Sequence, residues 1–296
     1  MGLLSPNYNK PGPGVDKDAP PKPRFFVFFE VFKRKFWNLM KVNLMFVLFN
    51  ILALAAAYYV SAVLLQRIRL DGGMGDIVIR LFLAAILTLI PVVTTGPVQA
   101  GFTYVLRNYS REEHSFIWGD FKENLLRNFK QGMIIAIIDI FAMIVFSIAL
   151  NVYSSMSGIL PVLGATFIFI SIIIFFMMHL YIYPMLVTVN LNIKNLYKNA
   201  LIFSIMKFIP NFLMILLNLI IAFLAFYIPF VGVVLYILIL PAFMGLMNNF
   251  YVNPLIKKYV AMPDEGNGNK EESIFEDNKK GESFYKPAIE DEDKNI

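Results

Sequence analysis

The chain has 296 residues, of which 58% are hydrophobic, 15% aromatic and only 16% charged, and its mean hydropathy is +0.63. Soluble domains carry about a quarter charged residues, so this balance excludes an ordinary water-soluble globule and makes lipid the solvent. The absence of cysteine excludes disulfides, thiolate metal centres and cysteine nucleophiles, and the net charge of +5 sits beside apolar runs, where anionic headgroups rather than nucleic acid are the expected counter-charge.

In chain order, residues 1–23 are rich in Pro, Gly, Asn and Lys with no apolar period, and are expected to be disordered. The first long apolar segment is too long for the core of a cleavable signal and is expected to remain as an anchor. Phe25 to Lys41 mixes aromatics with Lys33, Arg34, Lys35 and Lys41, the composition of a helix lying in the interface, with Trp37 at headgroup level. Six stretches then reach the roughly 20 apolar residues that a span needs: about 42–65, 77–105, 132–153, 159–189, 211–228 and 230–250. Residues 132–193 hold one acid, Asp139, and no Lys or Arg. Pro229 and Gly232 separate the last two spans; a single broken or re-entrant element is the alternative there. From Pro263 the chain carries eleven acids against five lysines and reads as a solvated tail, with Ile274–Phe275 and Phe284–Tyr285 as conceivable docking points.

Basic residues set the orientation. Fifteen lie before the first span, after the even-numbered spans, or between them and the next, against three (Arg67, Arg69 and Arg80) on the opposite side. Both termini are therefore expected in the cytoplasm. Two of the cytoplasmic connections carry amphipathic patterns. Phe121, Leu125 and Phe129 recur every four residues opposite Lys122, Glu123 and Lys130, and after a capping Asn192 the residues Leu196, Ala200 and Phe203 repeat that spacing. These faces either pack on the membrane surface or dock a cytoplasmic partner.

Ionisable groups within spans are functional candidates by their cost. Asp139 and His179 fall at depths of about 10 and 15 Å from the cytoplasmic side, close enough to pair across an antiparallel arrangement of spans three and four. The pair either holds those spans together or relays a proton or solute. Asn43, Asn50, Gln99 and Asn218 form a polar layer of similar depth, which either lines a cavity or makes interhelical hydrogen bonds. Pro97, Pro184 and Pro241 fall in the later half of each even-numbered span, suggesting three helical hairpins with a weak repeat.

Two histidines cannot build a histidine metal centre, and the zinc-protease, Walker and nucleophile-elbow patterns are missing. Gly72, Gly73 and Gly75 read as a flexible outer turn, and His114 beside Glu112 and Glu113 as a solvated cluster. No cofactor or metal and no enzymatic activity is expected.

The run from Gly96 and Pro97 through Gly101, Tyr104, Arg107, Tyr109, Arg111, His114, Trp118, Asp120 and Phe121 to Asn128–Gln131 resembles the YesL-like family of bacterial membrane proteins. Phe36–Leu39, Asn43–Leu44 and Tyr183–Met185 extend the resemblance to about residues 25–255. It implies a six-helix membrane fold of unestablished activity, often encoded beside ABC importers for complex carbohydrates, and brings no catalytic residues. The combined expectation is an all-α integral membrane protein with a domain at 24–260 and tails at 1–23 and 261–296. Its expected role is accessory to ABC-type carbohydrate uptake in the bacterial cytoplasmic membrane; a small-solute or proton-coupled permease or channel is the alternative.

Overall fold

The computed structural model describes residues 22–65 and 73–261, and these are built from helices. The expected tails, apart from residues 22, 23 and 261, lie outside the described residues, as do the basic pair Arg67 and Arg69, Gly72 and the two docking dipeptides of the tail.

Helix α1 (Arg24–Tyr59) continues through a π turn (Val60–Leu65). It is followed by α2 (Gly73–Ser110), α3 (Ile117–Arg127), α4 (Phe129–Ser154) and α5 (Ile159–Thr188). The remaining elements are α6 (Ile193–Met206), α7 (Phe208–Phe226), α8 (Pro229–Leu238), α9 (Leu240–Ile256) and a terminal π turn (Lys257–Ala261). Gly73 and Gly75 thus belong to a helix and not to the turn expected for them.

Five helices are long and apolar enough to cross a membrane, and α8 with α9 makes a sixth candidate bent by 62°. Their outward surfaces carry Phe82, Phe141, Phe167, Phe169 and Phe223, all at least 60% exposed, a display of apolar surface that only lipid solvates well.

Two boundaries differ from the sequence expectation. The lead-in at Phe25–Lys41 is not a separate interfacial helix but the first half of α1. No Pro or Gly interrupts Arg24–Tyr59, so the helix runs on for about 54 Å. Its early residues Phe28, Val31, Leu39 and Val42 are buried in a cluster with Phe102, Leu106, Phe121, Leu246 and Phe250. The second difference is an additional break at Ile239, two residues before Pro241, where the ring of Pro241 at the start of α9 suits a first helical turn but not a helix interior.

The core lies toward one end of the bundle, the end that holds Arg24, Ser110, α3, α6 and Lys257. Helix α4 buries only Gly132, Ile135 and Ala136, α7 only Asn211 and Met214, and α5 buries Pro161 and then nothing until Met177. The helices that carry Pro97, Pro184 and Pro241 (α2, α5 and α9) touch one another, and three further long helices pack around them: α1 on α2 and α9, α4 on α2 and α5, and α7 on α5 and α9. At three of these outer contacts the sequence places a small or amide residue. Gly132 faces the backbone of Gly96 and Pro97, Asn211 accepts from Tyr181, and Asn43 accepts from the N–H beside Pro241.

The Gly96–Gly132 contact is so close that a Cβ at Gly96 would lie 1.9 Å from the Gly132 carbonyl oxygen, and a Cβ at Gly101 would lie 2.5 Å from the Phe121 carbonyl oxygen, a clash in both cases. Glycine is required at these positions by approach distance, since neither neighbour is a side chain that can swing away.

Candidate functional site

Helices α4 and α5 bring His179 Nε2 to 2.9 Å from Asp139 Oδ1. His179 Nδ1 lies 2.9 Å from the carbonyl oxygen of Phe175, one turn earlier on its own helix. A carbonyl only accepts, so the Nδ1 proton is committed to it and the Nε2–Oδ1 contact needs a second proton. That proton sits either on the ring, giving imidazolium and carboxylate, or on the carboxyl group, giving two neutral partners. In both forms the pair holds one shared proton and has no net charge, which is how two ionisable groups are tolerated at this depth.

Tyr197, on α6, extends the cluster. Its hydroxyl points to Asp139 Oδ1 at the long distance of 3.5 Å. Burial, reinforced by the negative charge of Asp139, raises the Tyr197 phenol above the ordinary tyrosine value, so it stays a neutral donor.

Asp139 also lines a cavity of about 810 Å³ walled by Ala56, Val60 and Ser61 of the first helix and its π turn, Leu87, Thr88 and Pro91 of α2, and Ile140, Met143, Ile144, Ser147 and Ile148 of α4. The wall is mainly aliphatic. Its hydroxyls have spent their protons locally: Ser61 donates to Tyr58 O, Thr88 to Ala84 O and Ser147 to Met143 O. The polar atoms left for a guest are therefore hydroxyl oxygens and a carboxyl group, a set of acceptors. Such a cavity suits an apolar body bearing a protonated amine or another strong donor. A π turn at Val60–Leu65, where the helix widens, forms part of the same wall, and such turns recur at functional sites.

The four expected polar-layer residues do not meet. Asn43 Nδ2 donates to the carbonyls of Tyr236 and Ile237, each at 2.8 Å, and its Oδ1 accepts from Ala242 N–H at 2.9 Å. One amide thus covers backbone groups on both sides of the α8–α9 break. Asn218 Nδ2 donates to Asn248 Oδ1 at 2.9 Å, Asn50 Nδ2 donates to Phe46 O, and Gln99 makes a long contact with Thr103. None of the four lines the Asp139 cavity. Of the two readings of this layer, Asn43 and Asn218 follow the interhelical hydrogen bond, whereas Asn50 and Gln99 bond within their own helices.

The expected docking faces are also corrected. Phe121, Leu196 and Phe203 are buried within the chain's own clusters, and Leu125 and Phe129 are half-buried. Their periodicity reports packing on α2 and α5. The exposed apolar residues at and on α3 are Phe116, Trp118 and Leu126.

The motif residues Gly96, Pro97, Gly101, Arg107, Asp120 and Phe121 gather where α2, α3 and α4 meet. Asp120 Oδ2 accepts from Phe116 N–H and the Ser115 hydroxyl, closing the first turn of α3. The Arg107 guanidinium donates to Val187 O at 2.7 Å and to Asn108 Oδ1, and stacks 4.2 Å from the Tyr104 ring centre. Arg107 thus ties α2 to α5, Gly96 and Gly101 allow close helix contacts, and Asp120 fixes the start of α3.

Sequence reasoning missed Asn211, a fully buried hub whose Oδ1 accepts from the hydroxyls of Tyr181 and Tyr251 and whose Nδ2 donates to Phe203 O. A polar residue just after Pro210 was its visible signal. No group of three or more His, Cys, Asp or Glu suited to a metal is found among the described residues.

This architecture defines an all-helical protein with the features of a multi-span membrane protein. A family model described as a protein of unknown function, DUF624, matches residues 77–152, which cover nearly all of α2, α3 and α4 and therefore both the glycine contact and Asp139. No curated protein and no solved structure matched the chain.

Proposed function

We propose that the protein is a proton-coupled permease of the bacterial cytoplasmic membrane, non-enzymatic, with six spans as three hairpins and both termini inside. In this reading its solute has an apolar body and a protonated amine. The carrying observation is the Asp139 carboxyl group, which lines an acceptor-only cavity while sharing one proton with His179. An ammonium guest that docks on Asp139 replaces that proton as the counter-charge, so solute enters the site as a proton leaves it. This is the balance that exchange requires, and it needs no cofactor.

The test is a proteoliposome assay with an internal pH dye and a series of alkylamines, with alkyl sulfonates of equal length as controls. Amine-dependent proton movement that vanishes in Asp139→Asn supports the proposal; equal responses of the two proteins would sink it.

A second reading makes the protein an accessory of an ABC-type carbohydrate importer, in line with the family resemblance. The exposed Phe116, Trp118 and Leu126 at α3 favour it, since they offer an anchor at the end of the bundle where a cytoplasmic subunit would approach. Crosslinking in intact cells, with recovery of importer subunits that is lost in Trp118→Ser, would support this reading.

A further inference from the structure

At the end of the bundle opposite the loosely packed spans, Arg24 at the start of α1, Ser110 at the end of α2 with Arg111 just after it, Asn253 and Pro254 of α9, and Lys257 and Lys258 of the terminal π turn line a pocket of about 740 Å³ together with Glu113. Four cationic side chains against one carboxylate leave a net charge of +3 around it. Arg111 spends part of its charge on Glu113 at 4.0 Å, whereas Lys257 and Lys258 are exposed, and no ion pair to either is found among the described residues.

The wall also carries an unmet acceptor. Asn253 is only 4% exposed, its Nδ2 donates to the Ser110 hydroxyl, and its Oδ1 has no hydrogen-bond partner among the described residues. The Ser110 proton is already given to Arg107 O, so that hydroxyl cannot turn to serve Asn253. A buried amide oxygen left unpaired carries the full cost of its lost hydration unless something donates to it. The α1 N-terminus adjoins the same space through Arg24 and has no side-chain cap, which adds the positive end of a helix dipole.

These features ask for one kind of guest: anionic oxygens for the Arg and Lys side chains, and a hydroxyl to donate to Asn253 Oδ1. We infer that this pocket is a binding site for a phosphate group carrying a neighbouring hydroxyl. The phosphoglycerol headgroup of an anionic lipid has that chemistry, and so does a free phosphorylated polyol. The pocket is separate from the Asp139 cavity, with no residue in common. The inference therefore stands or falls independently of the proposed transport.

The test uses the full chain in phosphatidylcholine nanodiscs. In one arm phosphatidylglycerol is titrated in and its retention followed by native mass spectrometry, with phosphatidylmethanol, of the same charge but without headgroup hydroxyls, as comparator. In the other arm glycerol 3-phosphate is added to the aqueous phase and the thermal unfolding midpoint is followed. Lys257→Gln/Lys258→Gln is compared with Lys122→Gln/Lys130→Gln, which removes the same charge from exposed lysines outside the pocket.

The expected result is preferential retention of phosphatidylglycerol, or stabilisation by glycerol 3-phosphate. Either effect should weaken about tenfold or more in the pocket variant and less than about twofold in the control. A response in the lipid arm alone identifies a headgroup site, and in the aqueous arm alone a soluble-ligand site. Equal weakening in the two variants, retention of both lipids to the same extent without any effect of glycerol 3-phosphate, or no response in either arm overturns the inference.

Discussion

Asn43 Oδ1 accepts the backbone N–H of Ala242 at 2.9 Å, and the same amide donates to the last carbonyls of α8. A helix broken within a membrane exposes backbone groups that lipid cannot satisfy, and here a single fully buried side chain from the first helix meets three of them. Asn43→Leu is expected to cost about 2–3 kcal/mol by leaving those groups unpaired, while Asn43→Gln recovers only part of the loss. Reversible denaturation in mixed micelles measures both; an unchanged midpoint for Asn43→Leu would show that the break needs no support.

The glycine contacts separate two kinds of tightness. A Cβ at Gly96 collides with the backbone of Gly132, so Gly96→Ala is expected to destabilise by about 3 kcal/mol or more, or to prevent folding. A Cβ at Gly164 meets only the Tyr153 ring, which can move, and Gly164→Ala is expected to cost less than about 1 kcal/mol. Thermal unfolding in detergent checks the order of the two.

Asp139 and His179 are expected to be coupled. Asp139→Asn and His179→Asn each remove one side of a shared proton, and the double variant should be less destabilised than the sum by roughly 1–2 kcal/mol. A double-mutant cycle that closes to zero would mean that the 2.9 Å contact contributes nothing to the bundle.

The chain contains no cysteine, so single cysteines report topology without background. Cysteine at Lys122 or Lys198 is expected to react with an impermeant maleimide only after the cell is opened. Cysteine at Ser155, in the α4–α5 turn, should react in intact cells. The reverse pattern would invert the orientation drawn from the fifteen-to-three bias of basic residues.

The spans were legible because a run such as 132–193, with one ionisable acid, has no other stable environment. The meeting of Asp139 with His179 was legible too, since rise per residue fixes depth and sequence neighbours tend to pack. Continuity of α1 was hidden by the cluster Lys33–Lys35, which resembles an interfacial helix although nothing there breaks one. The faces of Phe121 and Leu196 show the limit of periodicity: it says that a stripe is covered, and not what covers it. The basic pocket left no local trace, because Arg24 and Lys258 come from opposite ends of the described chain and are joined by the packing of α1, α2 and α9.

The Asn43–Ala242 bond spans 199 residues, and this has a consequence for biosynthesis. At roughly 5–20 residues per second, the first helix enters the bilayer about 10–40 s before its last partner is made. During that interval its amide has no helix break to serve, and the nascent bundle carries an unspent polar group on its flank. A chain cut short before Ala242 lacks the N–H that Asn43 Oδ1 accepts, and so keeps the mark of its own incompleteness.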